Sequence, residues 1–108
     1  MSNTRPQSEL YREAAHRWAD LDSASRMLEE GKSAVLAQRM AQLGDMPVSK
    51  AELTVKSSEF WSKYIKSMVN AKTAANKARI EMEYCKMVAW EQNSREAYER
   101  AELRMTAS

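Results

Sequence analysis

The sequence predicts an all-α protein: a long antiparallel helical hairpin with coiled-coil packing, completed as a helical bundle by homo-oligomerisation. Only 2 Gly and 2 Pro occur in 108 residues, too few for the tight turns that a sheet protein needs. Charged residues make up 30% of the chain and are mixed in sign, which is typical of the surfaces of long helices. Apolar residues recur at helical spacing along most of the chain. The length predicts a single domain over residues 1–108.

The first predicted helix spans residues 7–43. Apolar residues step by three or four positions along one face of it: Leu10, Ala14, Trp18, Leu21, Ala24 and Leu28. An interior glycine costs roughly 1 kcal/mol relative to alanine, so the sequence leaves open whether the helix is broken at Gly31. Gly44 followed by Pro47 is the order expected after a helix end. We therefore expect a turn at 44–48.

Two further helical segments are predicted after this turn. Ser49 and Glu52 have capping-box spacing, which predicts a short helical turn over 50–56. Ser57 and Ser58 offer an N-cap for a long helix over about 58–104. A segment of that length would be roughly 70 Å long and needs a packing partner along its course.

The long helix carries an apolar seam at alternating three- and four-residue steps, the repeat of a left-handed coiled coil. The seam consists of Trp61, Tyr64, Met68, Ala71, Ala75, Ala78, Met82, Cys85 and Ala89. The first helix, running antiparallel, is the nearest candidate to pack on this seam. Methionines are adaptable core fillers, and we expect that role for Met27, Met40, Met68, Met82 and Met87.

Further apolar positions flank the seam and predict self-association. They are Ile65, Val69, Ile80, Met87, Val88, Trp90, Ala97, Tyr98, Ala101 and Leu103. Two long helices bury little surface on their own. We therefore expect a homo-oligomer, most simply a two-fold dimer.

The net charge of +2 conceals a sorting of charge along the chain. Residues 32–79 carry 9 Lys and Arg against 3 Asp and Glu, and the remaining residues carry 8 against 12. In a hairpin that turns at 44–48, these blocks give a turn end of about +6 and an open end of about −4. The candidate contact residues near the turn end are Lys56, Lys63, Lys66, Lys72, Lys77 and Arg79.

Three interpretations of these basic residues stay open. They are a solvated face, or they set the register of two antiparallel chains by meeting the partner's acidic end, or they contact nucleic-acid phosphates. Trp61 and Tyr64 have rings that could stack on bases, although both lie on the seam. No helix-turn-helix, zinc-finger or ribonucleoprotein pattern accompanies them.

The sequence carries no constellation for catalysis or metal binding. Its one His and one Cys are about 70 positions apart, so we expect no enzyme, no cofactor and no metal site. We expect His16 to form surface ion pairs and Cys85 to pack as a small hydrophobe. No segment approaches the ~18 to 20 apolar residues of a membrane span, and Met1 to Pro6 are polar. These features predict a cytoplasmic protein without membrane contact.

Residues 51–105 also resemble a group of known proteins. The residues that carry the resemblance are MVNAKTAANKAR at 68–79, MEY at 82–84 and RAELRM at 100–105. They are similar to small helical proteins encoded in bacteriophage and prophage early regions, sometimes beside recombination functions. This resemblance implies a phage accessory protein in the bacterial host cytoplasm.

Taken with that resemblance, the sequence predicts a non-enzymatic accessory protein that binds a host or phage protein through a helical surface. The alternative is a nucleic-acid-binding accessory of DNA recombination or replication that uses the basic turn end.

Overall fold

The protein is described by a computed structural model that covers residues 5–107. Predictions for residues 1–4 and 108, including the polar start of the chain, lie outside the described residues. Every regular element in the described part is a helix: α1 (Gln7–Ala41), α2 (Val48–Lys56) and α3 (Glu59–Ala107). The predicted all-α class is therefore confirmed.

Helix α1 runs through Gly31 without a break. Leu28 and Val35, on either side of Gly31, are half-buried, and packing of such neighbours outweighs the modest cost of one glycine. The helix ends at Ala41, two residues before the expected end, and the Gly44 N–H then donates to the Ala41 carbonyl at 3.3 Å. Gly44 has φ 75°, the left-handed conformation predicted for it.

Helix α2 begins at Val48, earlier than predicted, and its N-cap is Pro47 without a side-chain capping bond. The predicted capping box at Ser49 is therefore wrong. The Pro47 carbonyl accepts the first hydrogen bond of the helix, from the Ala51 N–H at 2.9 Å, so the helix begins before Ser49. The expected cap of the long helix is confirmed, because the Trp61 N–H donates to the Ser58 hydroxyl oxygen at 3.2 Å.

The chain divides into two compact units. The turn unit is Asp20–Ala75, and the terminal unit comprises residues 5–19 and 76–107. Within the turn unit, Lys72 Nζ lies 3.6 Å from a Glu29 carboxylate oxygen, while the Arg39 guanidinium lies 3.4 Å from the Phe60 ring centroid. Later residues of α1 thus meet earlier residues of α3, so the two helices are antiparallel in this unit.

The buried apolar residues are mostly small, which allows helices to approach closely. They are Ala51, Val55, Trp61 and Ala75 in the turn unit, and Ala78 and Ala89 in the terminal unit. Helix α2 supplies the first two, a contribution to the core that the sequence analysis did not assign. All nine predicted seam positions of α3 are buried or half-buried.

Three predicted core residues are wrong. On α1, Ala24 is exposed and the neighbouring Ser25 is buried instead. Both positions keep the three- and four-residue spacing between the half-buried Leu21 and Leu28, and the packing surface is centred on Ser25. Met27 is 73% exposed and Met87 is 50% exposed. Both methionines lie on the side of their helix that faces away from the half-buried positions around them.

Candidate functional site

Helix α3 presents a second apolar surface in the terminal unit. Met82, Cys85 and Ala89 are half-buried or buried. At 3.6 residues per turn, the exposed residues of the second surface lie on the other side of the helix. We call them the outer face of α3: Ile80, Tyr84, Met87, Trp90, Tyr98 and Met105.

The outer face continues into a part of α3 that has little packing. The groove between α1 and α3 is lined by Gln7 and Leu10 from α1 and by Cys85 and Val88 from α3. Beyond Gln92, every described residue of α3 is exposed. In this segment the helix is covered by no other part of the terminal unit that the structure describes.

Large apolar side chains stand exposed on this segment and next to it. Trp90 is 69% exposed, Tyr98 67% and Met105 77%. Four of the outer-face residues are flanking apolar positions predicted from the sequence: Ile80, Met87, Trp90 and Tyr98. Tyr84 and Met105 are not among the predicted positions. The four- and three-residue steps that start at Ile80 are the signal that would have found them.

The six predicted basic contact residues differ in their surroundings. Three of them form ion pairs: Lys56 Nζ lies 2.7 Å from Glu52, Lys63 Nζ 3.2 Å from Glu59, and Lys72 Nζ 3.6 Å from Glu29. Lys66, Lys77 and Arg79 are exposed, and no acidic partner is found for them among residues 5–107. Half of the predicted set is thus already engaged with carboxylates of the same chain.

The aromatic residues of the turn unit are used inside the fold. Trp61 is 6% exposed and stacks on Tyr64 with ring centroids 5.6 Å apart. The Tyr64 hydroxyl donates to the Leu28 carbonyl at 2.5 Å, and Lys32 Nζ lies 6.0 Å from the Trp61 ring centroid. Trp61 is therefore not presented to bases.

Cys85 borders the groove of the terminal unit, which has a volume of about 360 Å³. Its Sγ lies 3.7 Å from Glu81 Oε1. Desolvation first, and the Glu81 carboxylate second, raise the pKa of Cys85, which favours the protonated thiol over the nucleophilic thiolate. His16 is exposed on α1, and the surface ion pairs predicted for it are not found among residues 5–107.

Within residues 5–107, no cluster of three or more His, Cys, Asp or Glu side chains is arranged to hold a metal ion. In the same part of the chain, no helix has both the length and the apolar character that a membrane crossing requires.

Comparison of the chain with protein-family models, with curated proteins and with solved structures gave no match.

Proposed function

We propose that the chain is a non-enzymatic accessory protein of the phage type that acts by binding a protein partner, of host or phage origin, through the outer face of α3. The observation that carries this proposal is the exposure of large side chains on the outer face of α3, where Trp90 is 69% and Tyr98 67% exposed. Exposed aromatic and methionine side chains are typical of protein-binding surfaces.

The energetics of the uncovered segment also support a partner. Residues 93–107 extend α3 by about 22 Å without tertiary packing, and most helical stability in proteins comes from such packing. Burying a tryptophan or tyrosine removes roughly 150 to 250 Å² of surface from water. A partner on the outer face would therefore stabilise the segment. Burial of the aromatic side chains of α3 against that partner would contribute to the affinity of the complex.

The surroundings of the titratable groups support a role without catalysis. A catalytic nucleophile needs a lowered pKa or an adjacent base, whereas the pKa of Cys85 is raised by desolvation and by Glu81. His16 lies on an exposed helix surface.

Nucleic-acid binding is the second candidate function. It is supported by the exposed Lys66, Lys77 and Arg79, which are without acidic partners among the described residues. It is the weaker candidate, since the other three predicted contacts are ion-paired and Trp61 is buried.

The proposal is tested by affinity capture. Tagged protein is incubated with lysate from bacteria that also express an untagged copy of the chain, and retained proteins are identified by mass spectrometry. We expect a partner that the wild type retains and that the Trp90→Ser/Tyr98→Ser variant loses. Met27→Ser, at an equally exposed position of α1, is the matched control and should retain it. The proposal is rejected if all three baits retain the same proteins.

A further inference from the structure

We propose that the partner on the outer face of α3 is a second copy of this chain, which packs antiparallel so that residues 80–105 of the two copies form one two-fold seam. This inference rests on the proposed function, because it names the occupant of the same surface.

Five of the six residues of the outer face lie on the spacing of a coiled-coil seam, and Trp90 flanks that seam. Starting at Ile80, alternating steps of four and three residues give Ile80, Tyr84, Met87, Glu91, Ser94, Tyr98, Ala101 and Met105. All eight are exposed, and six of them are apolar or aromatic. The seam spans nearly four heptads, the length over which such a repeat becomes a coiled-coil signal. Another helix of the same repeat is therefore a fitting occupant.

The antiparallel direction follows from the order of residues within the seam. The pattern is symmetric about a point between residues 92 and 93, so an antiparallel copy sets Met87 against Tyr98 and Tyr84 against the small Ala101. The central Glu91 then meets Ser94 of the second copy, whose hydroxyl can donate to the carboxylate. A parallel copy would place Glu91 against Glu91, and two like charges at facing positions repel.

The charges that flank the seam form one attractive and one like-charged pair in an antiparallel copy, so the direction is set by the seam residues and not by the flanks. On one flank, Glu83 comes opposite Arg104 of the second copy, and the two-fold axis makes this pair twice. On the other flank, Glu81 faces Glu102, a like-charged contact that the two-fold axis also makes twice; both flanking contacts lie at an exposed rim, where each charge interaction is weak. A polar layer at Glu91 and Ser94 fixes the register at some cost in stability, as single polar seam positions do in other coiled coils.

A second helix has free access to this surface. Met82, Cys85 and Ala89, the buried and half-buried positions of the same stretch, lie on the side of α3 that packs against α1 in the terminal unit. The outer face lies opposite them, so the second copy covers α3 without displacing α1.

Site-directed disulfide crosslinking tests the direction. Two pools of protein, both carrying Cys85→Ser, are prepared with Met87→Cys or Tyr98→Cys, at exposed positions where circular dichroism should show unchanged helix content. We expect a disulfide-linked dimer when the pools are mixed under oxidation and none from either pool alone. Crosslinking within each pool would mean a parallel dimer and overturn the proposal, as would no crosslink in the mixture.

A charge exchange tests the register. Glu83→Arg should raise the dimer dissociation constant about ten-fold, because it replaces two attractive contacts by repulsive ones, and Glu83→Arg/Arg104→Glu should restore it. Arg100→Glu, which lies off the seam, is the control and should leave the constant unchanged. Sedimentation equilibrium measures all four proteins, and failure of the double variant to recover would contradict this register.

The outcomes separate the inference from the proposed function. A monomeric mass, together with capture of a different protein that depends on Trp90 and Tyr98, would overturn the second copy as occupant and leave the proposed function standing. A monomeric mass with no capture that depends on those residues would overturn both.

Discussion

Ser25 is the residue whose burial has the clearest energetic consequence. Its side chain is 1% exposed, and its hydroxyl has no hydrogen-bond partner among the described residues. A buried hydroxyl without a partner costs about 1 to 3 kcal/mol. We expect Ser25→Ala to raise the free energy of unfolding by about 1 to 2 kcal/mol, measured by urea denaturation at a fixed protein concentration.

Ser23→Ala is the matched control, since Ser23 is exposed on the same helix. It gains only the helix propensity of alanine, about 0.5 kcal/mol. Equal gains for the two variants, or a loss for Ser25→Ala, would show that the buried hydroxyl is satisfied by a hydrogen bond.

The same position shows why single core residues are hard to predict from sequence. Both Ala24 and Ser25 complete the three- and four-residue spacing between Leu21 and Leu28. The hydrophobicity of the side chain favours burial of Ala24. In the structure, the orientation of α1 about its own axis buries Ser25 instead. Polarity alone carries no information about that orientation.

At the scale of elements, the long helices could be predicted because many residues repeat the same spacing. The start of α2 and its part in the core could not. They depend on Pro47 as the first cap and on the packing of Ala51 and Val55, and a nine-residue helix is too short for its periodicity to reveal which side is buried. The outer face was found only in part, because Glu91 and Ser94 interrupt its apolar pattern.

The unbroken course of α1 leads to a prediction at Gly31. A Cβ built there meets the Tyr64 hydroxyl at 3.7 Å, an ordinary contact distance, and Gly31 has no positive φ. We therefore expect Gly31→Ala to stabilise the protein by about 0.5 to 1 kcal/mol, the difference between the two residues inside a helix. Thermal and urea unfolding measure the change.

Gly44→Ala provides the opposite case. Gly44 has open space around its Cα but φ +75°, so alanine there is strained and should lose about 1 kcal/mol. A loss of stability in Gly31→Ala would mean that the contact with Tyr64 tolerates no methyl group.

At the scale of the whole molecule, the charge sorting along the sequence does not follow the compact units. The turn unit contains 8 Lys and Arg against 7 Asp and Glu, and the terminal unit contains 9 against 8. Each unit is therefore nearly neutral, although residues 32–79 alone carry an excess of six positive charges. Neither compact unit has a strong overall basic charge, so phosphate binding would depend on a local group of basic side chains.

The ion pairs of the basic residues also limit how steeply DNA binding can depend on salt. If the six predicted basic residues are the contact, only Lys66, Lys77 and Arg79 are free of ion pairs within the described chain. Each phosphate contact contributes about −0.9 to the slope of log K against log salt concentration. We therefore expect weak binding at low salt, with a slope of about −3 or shallower, measured by fluorescence anisotropy with a labelled duplex.

Two triple variants separate the free cations from the paired ones. Replacing Lys66, Lys77 and Arg79 by alanine should abolish the salt dependence, because it removes the charges that can release counterions from the phosphates. Replacing Lys56, Lys63 and Lys72 by alanine should change the slope little, since carboxylates within 3.6 Å already neutralise them. A slope much steeper than −3, or an equal loss in both variants, would show that DNA displaces the ion pairs and would make nucleic-acid binding the stronger proposal.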